Sequence, residues 1–304
     1  MVLWGADRLT EGASALARRM RVPEIVIGLT IVAAGTSAPE LFVSMMSALK
    51  DTPDMAVGNV VGSNIFNALL IVGCSAMVAP MVIAPSTVKK DMPFAVVASV
   101  LLLGVILQGG DVSRIDGVML LAGFAVFMAY TFRVAMMKGT PGSEPTEADG
   151  KSAKPVNVWL SVLYVVAGLA GLVLGSDLFV ESASSVARQL DVSEGVIGLT
   201  IVAGGTSLPE LATSVVAAHK GQSAMAIGNV IGSNVFNVLL ILGVTATISP
   251  MAVEGITSVD LTVMLASIIA VWGFSFTKYT VARWEGAVLV MGFMAYMGWL
   301  LYNL

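Results

Sequence analysis

The sequence predicts an all-α integral membrane protein with ten transmembrane helices, arranged as two inverted five-helix repeats with broken helices at the centre. Three observations predict it: an apolar composition, ten apolar stretches, and an internal repeat at an offset of 170 residues. Of the 304 residues, 57% are hydrophobic and 12% are charged, and the mean hydropathy is +0.89. Soluble domains carry roughly 25% charged residues, so this composition indicates a membrane protein.

Ten stretches are long enough to cross a bilayer, which takes about 20 mostly apolar residues. They are 1–20, 24–49, 55–79, 92–109, 114–136, 157–187, 193–218, 225–249, 258–276 and 283–303. The stretch 137–156 is rich in Pro, Gly, Ser and Glu, which predicts a flexible polar linker. In the second half, 20 mainly apolar residues precede Asp177, whereas six precede Asp7 at the equivalent place. We therefore expect the first span to be cut short by roughly 14 residues.

The repeat divides the chain into two halves. A shift of 170 residues aligns 28–50 with 198–220 at 15 of 23 positions, and 56–80 with 226–250 at 15 of 25. We assign 1–136 to the first repeat, with its repeated motif at 28–80, and 157–304 to the second, with the matching motif at 198–250. Each half has five spans, an odd number, so the second half enters the membrane upside down. Inverted repeats around a midplane site are a transporter architecture.

The distribution of basic residues predicts the orientation. If the N-terminus lies outside, the cytoplasmic loops hold twelve Lys and Arg residues and the outer loops hold three. The positive-inside rule then places both termini outside and the 137–156 linker in the cytoplasm, for a multi-pass protein of the plasma (inner) membrane. We expect the chain to work as a monomer in lipid. The net charge of -4 is small and gives no case for nucleic acid as a partner.

The stretch "GTSAPE" at 35–40 returns as "GTSLPE" at 205–210. Pro39 disfavours helix in the residue before it and frees backbone carbonyls, which must be satisfied inside a membrane. Ala33, Thr36 and Glu40 project toward one side at helical spacing, with Ser37 close by. A kink alone would explain the glycine and the proline, but not a mid-span carboxylate. Such a carboxylate costs at least ~2.5 kcal/mol, so Glu40 and its repeat Glu210 mark a site.

A second motif, "GNVVGSNIFN" at 58–67, returns as "GNVIGSNVFN" at 228–237. Asn59, Ser63 and Asn67 are spaced by four and form a polar stripe on one helix face. Gly58 and Gly62 form a GxxxG pattern, which is typical of closely packed membrane helices. Both interpretations can hold, with the glycines bringing the stripe close to Glu40. For Asn59 and Asn64 a site role and a packing role stay equally open, and Asn59 and its repeat Asn229 are second-tier candidates for the site.

The symmetry should bring Glu40 and Glu210 face to face. Two carboxylates about 5 Å apart repel by ~3 kcal/mol at an effective dielectric of 20, so a cation should lie between them. Ca²⁺ takes six to eight oxygens. Two bidentate glutamates and the carbonyls of Thr36 and Thr206 supply six. One Ca²⁺ or two Na⁺ would neutralise the pair, which is a physical basis for exchange.

Two other classes are a cation channel and an intramembrane enzyme. An enzyme is disfavoured because no predicted span has a histidine within its apolar part and the zinc motif HExxH is absent from the sequence. A channel has little need for two inverted, broken halves around one enclosed site. The sequence therefore favours an antiporter that needs no cofactor besides its transported ions.

The duplicated motif pair resembles the paired alpha-repeats of the sodium/calcium exchanger family within the cation/calcium antiporters, of the prokaryotic type. The resemblance implies Na⁺/Ca²⁺ exchange by alternating access, through sliding of the first and sixth spans against the core. It implies a central site for both ions built by Glu40, Glu210, Thr36, Thr206, Asn67 and Asn237. It implies flanking Na⁺ sites built by Ala33, Ser37 and Ser233 on one side, and by Ala203, Ser207 and Ser63 on the other.

The resemblance leaves the coupling ion as an alternative. Some K⁺-dependent exchangers carry Asp where this chain has Asn237, which argues against K⁺ dependence. Proton-coupled calcium exchangers show a glutamate after a Gly-Asn pair, and this sequence lacks that signature. H⁺-coupled or K⁺-dependent antiport of Ca²⁺ or another divalent cation is therefore the alternative to Na⁺ coupling.

Overall fold

The structure, a computed structural model, describes residues 2–20, 22–137, 158–189, 192 and 194–303. The predicted linker 137–156 lies, apart from Met137, outside these residues. The helices are α1 Val2–Met20, α2 Glu24–Thr36, α3 Ala38–Leu49, α4 Pro53–Val78, α5 Thr87–Gly109, α6 Arg114–Met137, α7 Val158–Gln189, α8 194–206, α9 Leu208–His219, α10 Ser223–Ile248, α11 Ser258–Ser275 and α12 Arg283–Tyr302. The described part of the chain is therefore almost entirely helical, as the sequence predicts.

Two of the predicted spans are bent pairs of helices. The α2–α3 pair turns by 44° and the α8–α9 pair by 49°. Within the described residues, seven helices are long and apolar enough to cross a membrane, and counting each bent pair as one span gives nine. The helix α1 forms where the first span was expected, but it is not among these nine.

The helices α4 and α10 form the centre of the molecule. In each, 78% of the most apolar window is buried, against 22% to 39% in the other five candidate spans. Every residue of α4 from Met55 to Ile65 is buried, and so is every residue of α10 from Met225 to Val235. The remaining long helices surround this pair and turn apolar side chains outward, as lipid contact requires.

Several helices contain a wider π-helical turn. These turns lie at Gly28–Val32, Phe66–Ile71, Thr87–Asp91, Gly198–Val202 and Phe236–Ile241. All but the turn in α5 form pairs at the 170-residue offset. Such turns insert an extra residue into a helix and often accompany functional sites. The turns in α4 and α10 begin one residue before Asn67 and Asn237, respectively, and so set the direction of these two side chains.

Two short strand pairs join the halves. Strand β1, Met81–Val82, pairs antiparallel with β4, Thr280–Val281. Strand β2, Asp111–Val112, pairs antiparallel with β3, Met251–Ala252. Each pair takes one strand from each repeat. Neither pair is predictable from the sequence, since a strand of two residues is too short to show an alternating apolar pattern.

Candidate cation site

Each bent pair breaks its helix at the serine of the GTS motif. Ser37 has φ -84° and ψ 8°, and Ser207 has φ -84° and ψ 4°. The regular hydrogen-bond ladder ends where the Ser37 N–H donates to the Ala33 carbonyl at 2.9 Å, and it resumes where the Leu41 N–H donates to the Ser37 carbonyl at 3.2 Å. The carbonyl of Thr36 lies in this gap. The break predicted from Gly35 and Pro39 is therefore present.

The two glutamates are buried at the starts of the second half-helices. Glu40 lies in the first turn of α3 and Glu210 in the first turn of α9, and neither is accessible to solvent. A helix N-terminus stabilises a carboxylate there through the helix dipole. The GTS serines cross between the halves, because Ser37 Oγ donates to Glu210 Oε1 at 2.9 Å and Ser207 Oγ donates to Glu40 Oε1 at 3.1 Å. These two bonds bring the carboxylates to one shared site.

Several buried oxygens at this place have no hydrogen-bond partner among the described residues. They are Oε2 of Glu40, Oε2 of Glu210, Oγ of Ser63, Oδ1 of Asn67 and Oδ1 of Asn237. A buried polar atom without a partner costs several kcal/mol in apolar surroundings, about 2–7 by transfer measurements. A cation bound to these oxygens would remove that cost. The donor set therefore fits a transported cation that prefers oxygen ligands.

The amides of the second motif explain why those oxygens are left over. Asn67 Nδ2 donates to Asn234 Oδ1 at 3.0 Å, and Asn237 Nδ2 donates to Asn64 Oδ1 at 3.3 Å. Each of these bonds crosses between α4 and α10. The amide nitrogens of Asn67 and Asn237 are used in these bonds. Their Oδ1 atoms point away from the bonds and remain available to a ligand. The role of Asn64 was left open by the sequence, and Asn234 was not among the predicted site residues.

Asn59 and Asn229 are hydrogen-bonded to both broken helices. Thr206 Oγ1 donates to Asn59 Oδ1 at 3.1 Å, and Thr36 Oγ1 donates to Asn229 Oδ1 at 3.1 Å. The amide nitrogens are also held. Asn59 Nδ2 donates to Ser44 Oγ at 2.9 Å, and Asn229 Nδ2 donates to Ser214 Oγ at 3.0 Å. Both asparagines thus tie the broken helix of one half to that of the other.

Ser44 and Ser214 are site-supporting residues that the sequence analysis missed. Each lies four residues after its glutamate and each repeats at the 170-residue offset, which is the signal that could have found them. Both hydroxyl groups are fully buried. They accept hydrogen bonds from the amides of Asn59 and Asn229, so they support the site without being among the predicted ligands.

The flanking residues of the two halves differ in their contacts. Ser233 Oγ lies 3.1 Å from Ser37 Oγ and donates to Glu210 Oε1 at 3.3 Å, so these three predicted residues cluster. On the other flank, Ser207 contacts Glu40, while the hydroxyl of Ser63 has no partner within the described part of the chain. The predicted site residues therefore come together, with one flank more closely hydrogen-bonded than the other.

Ala33 and Ala203 lie at close crossings between helices of the two halves. A Cβ built at Gly232 would lie 2.7 Å from the Ala33 Cβ, and one built at Gly62 would lie 2.7 Å from the Ala203 Cβ. Only glycine allows this approach. Gly62 and Gly232 therefore let α4 pack against α8 and α10 against α2, which agrees with the packing interpretation.

The site is built from carboxylate, amide, hydroxyl and carbonyl oxygens. Within the described ranges, no group of three or more His, Cys, Asp and Glu side chains could hold a metal ion. Hard oxygen ligands of this kind suit Ca²⁺ and Na⁺ better than Zn²⁺ or other transition metals. The fold is that of a multi-pass membrane protein, and both halves contribute buried oxygens to one candidate cation site.

Comparisons with known proteins give the family. The sequence profile described as "Sodium/calcium exchanger protein" matches residues 1–133 and 160–302. The chain is 33% identical over 334 residues to sodium/calcium exchanger MaX1 of Methanosarcina acetivorans, covering 98% of this chain and 95% of that protein. It is 35% identical over 268 residues to inner membrane protein YrbG of Escherichia coli, covering 87% of this chain and 82% of that protein.

A solved structure agrees with these relatives. The sodium-calcium exchanger NCX_Mj, soaked with Na⁺ and Ca²⁺, superimposes with a TM-score of 0.81 and 29% identity, covering 98% of this chain and 94% of that one. The chain belongs to the sodium/calcium exchanger family. It is a cation/Ca²⁺ antiporter of the membrane, a transporter and not an enzyme, and it uses transported ions rather than a cofactor.

Proposed function

We propose that this protein exchanges Na⁺ for Ca²⁺ at the site between its two broken helices. The observation that carries the proposal is the set of buried, unpartnered oxygens around the two buried carboxylates. The carboxylates together carry two negative charges when ionised. One Ca²⁺ or two Na⁺ neutralise them, so occupancy by one ion requires departure of the other.

The residues take the following roles in this proposal. The carboxylates of Glu40 and Glu210 bind both ions at the centre. The carbonyls of Thr36 and Thr206 and the amide oxygens of Asn67 and Asn237 complete it. The flanking Na⁺ sites use Ala33, Ser37 and Ser233 on one side and Ala203, Ser207 and Ser63 on the other. Asn59 and Asn229 act by positioning the threonines.

We further propose a ten-span arrangement of two inverted five-helix repeats, 1–136 and 157–304, with α1 as the first span. The matching contacts support it, because the Thr36–Asn229, Ser37–Glu210 and Asn67–Asn234 hydrogen bonds between the halves each have a counterpart at the 170-residue offset. The close packing of α1 against α7 also supports it, since a Cβ built at Gly5 would lie 2.7 Å from the Gly168 carbonyl oxygen. An inverted pair can expose one site alternately to either side.

The orientation proposed for the membrane places both termini outside and the 137–156 linker in the cytoplasm. In a Cys74→Ala background, Ser143→Cys tests it with a thiol reagent that does not cross membranes. We expect labelling in inside-out vesicles and protection in right-side-out vesicles. Labelling only in right-side-out vesicles would reverse the orientation. We also propose that the protein works as a monomer in lipid of the plasma membrane.

The transport assay tests the coupling ion. Purified protein is reconstituted into vesicles loaded with Na⁺ and diluted into Na⁺-free buffer containing ⁴⁵Ca²⁺. We expect uptake that requires internal Na⁺ and is not supported by internal K⁺ or by a pH gradient. Uptake driven by the pH gradient would replace Na⁺ by H⁺, and uptake that needs K⁺ together with Na⁺ would assign the K⁺-dependent reaction. Ca²⁺ flux without any counter-ion would contradict exchange.

Ion binding should also stabilise the fold. A ligand at about 100 times its Kd stabilises the native state by ~2.7 kcal/mol. We expect the apparent Tm in detergent to rise when Ca²⁺ is added to Na⁺-free protein, and to fall again when a chelator removes it. Mg²⁺ at the same concentration is the control, because it demands a smaller octahedral site and should shift the Tm less. An unchanged Tm with saturating Ca²⁺ would contradict the proposed site.

A further inference from the structure

Thr213 carries a buried hydroxyl that the proposed site does not use. It lies on α9 one turn after Glu210, it is fully buried, and its Oγ1 has no hydrogen-bond partner among the described residues. Other threonines in these helices, at 30, 131, 200 and 262, donate to the carbonyl four residues earlier at 2.6 to 2.9 Å. The Thr213 hydroxyl does not make this usual local bond. It therefore stays available to a ligand.

Thr213 lies between Glu210, a residue of the proposed cation site (here called the cage), and the Lys220 end of α9. Lys220 follows seven residues later, hence on the same side of α9. Lys220 Nζ contacts Asp7 Oδ1 at 2.7 Å and Thr10 Oγ1 at 3.0 Å, both on α1. The side of α9 that carries Thr213 is therefore the side covered by α1. Thr213 is displaced from Glu210 toward the Lys220 end of the helix by three residues, a rise of about 4.5 Å.

The second half alone has this hydroxyl. The 170-residue equivalent of Thr213 is Val43, one turn after Glu40 on α3. Other buried hydroxyls outside the cage that lack a partner in the described structure occur in equivalent pairs, namely Ser14 with Ser184 and Ser75 with Thr245. Thr213 thus breaks a pattern that the repeat otherwise keeps. The helix beyond Glu210 therefore offers an unpartnered hydroxyl oxygen three residues away, and the helix beyond Glu40 does not.

We propose that Thr213 Oγ1 is a transient ligand for the transported cation on the route between Glu210 and the Lys220 end of α9, and that it favours ion binding from that side of the membrane. The inference rests on the proposed exchange function and adds sidedness to it. A cation that leaves carboxylate ligands inside a membrane needs replacement oxygens at every step. The route past Val43 lacks this oxygen, so binding from the opposite side is weaker for an otherwise equivalent cage.

The test measures Na⁺-dependent ⁴⁵Ca²⁺ uptake in right-side-out and inside-out vesicles, whose orientation is fixed by labelling of Ser143→Cys. We expect Thr213→Val to raise the external Ca²⁺ concentration for half-maximal uptake by about fivefold where the Lys220 end faces the medium, and by less than about twofold in the other orientation. Thr213→Ser keeps the hydroxyl and should behave as wild type. Val43→Thr should lower the half-maximal concentration in the opposite orientation only.

The variants also separate the inference from folding and from the proposed function. Thr213→Val has the same shape and removes an unsatisfied group, so its apparent Tm should not fall. An equal change in both orientations, or no change in either, would overturn the role of Thr213 while wild-type exchange still stands. Wild-type vesicles that show no Na⁺-dependent uptake in either orientation would overturn the proposed function itself.

Discussion

Glu40→Gln and Glu210→Gln should each abolish Na⁺-dependent Ca²⁺ uptake. The substitution removes one of two buried charges and replaces a carboxylate oxygen by an amide NH₂ group, which cannot coordinate the cation. Removing one partner from a buried pair of opposite charges, here the carboxylate that binds Ca²⁺, costs about 3–5 kcal/mol. This corresponds to a loss of Ca²⁺ affinity of roughly two to four orders of magnitude. Direct calorimetric titration of purified variants with Ca²⁺ measures the loss separately from transport.

The matched control for these variants is Glu254→Gln. Glu254 is exposed and lies in the segment that follows β3, so its charge is solvated. We expect its uptake and its Ca²⁺ affinity to equal those of the wild type. A strong effect in only one of the two cage variants would show that the halves do not share one site, and normal Ca²⁺ binding in both would remove the carboxylates from the site.

The repeat made much of this site predictable from the sequence. Two glutamates in apolar surroundings, each after a helix-breaking proline, indicate both the break and the charge. The 170-residue offset then indicates that the two copies act together. The structure places Ser37 beside Glu210 and Ser207 beside Glu40, within the residue sets expected for the centre and its flanks. Local spacing and duplication suffice for such features.

The partners that cross between the halves were not predictable in the same way. Asn64 and Asn234 each lie one residue after a serine of the polar stripe. Spacing alone does not show that they accept hydrogen bonds from the amides of Asn237 and Asn67. That pairing depends on the angle and depth at which α4 and α10 cross. The π-helical turns at Phe66–Ile71 and Phe236–Ile241 add a further rotation that the apolar pattern does not reveal. Long-range geometry therefore decides which polar atoms stay free for a cation.

Gly62→Ala should impair both the fold and transport, because the added Cβ would meet two backbone atoms and a Cβ of α8, none of which can rotate away. A Cβ at Gly62 would lie 2.6 Å from the Leu199 carbonyl oxygen, 2.7 Å from the Ala203 Cβ and 2.9 Å from the Leu199 Cα. Overpacking of a tight core costs typically ~1–3 kcal/mol. The apparent Tm should therefore fall by several degrees, at about 2–4 °C per kcal/mol. Transport should fall further, because the displaced helix carries the carbonyls of Ala203 and Thr206.

Gly104→Ala is the matched control, since nothing lies within 4 Å of a Cβ built at this helical glycine. Alanine is the better helix former by about 1 kcal/mol, so the Tm should stay the same or rise, and uptake should be unchanged. Gly232→Ala should repeat the Gly62 result, because its Cβ would lie 2.7 Å from the Ala33 Cβ and 2.9 Å from the Leu29 Cα. If Gly62→Ala and Gly104→Ala have equal Tm and equal uptake, close helix approach does not set the geometry of the cage. If only Gly62→Ala and Gly232→Ala lose uptake, the distance between each broken helix and the polar stripe determines ion binding.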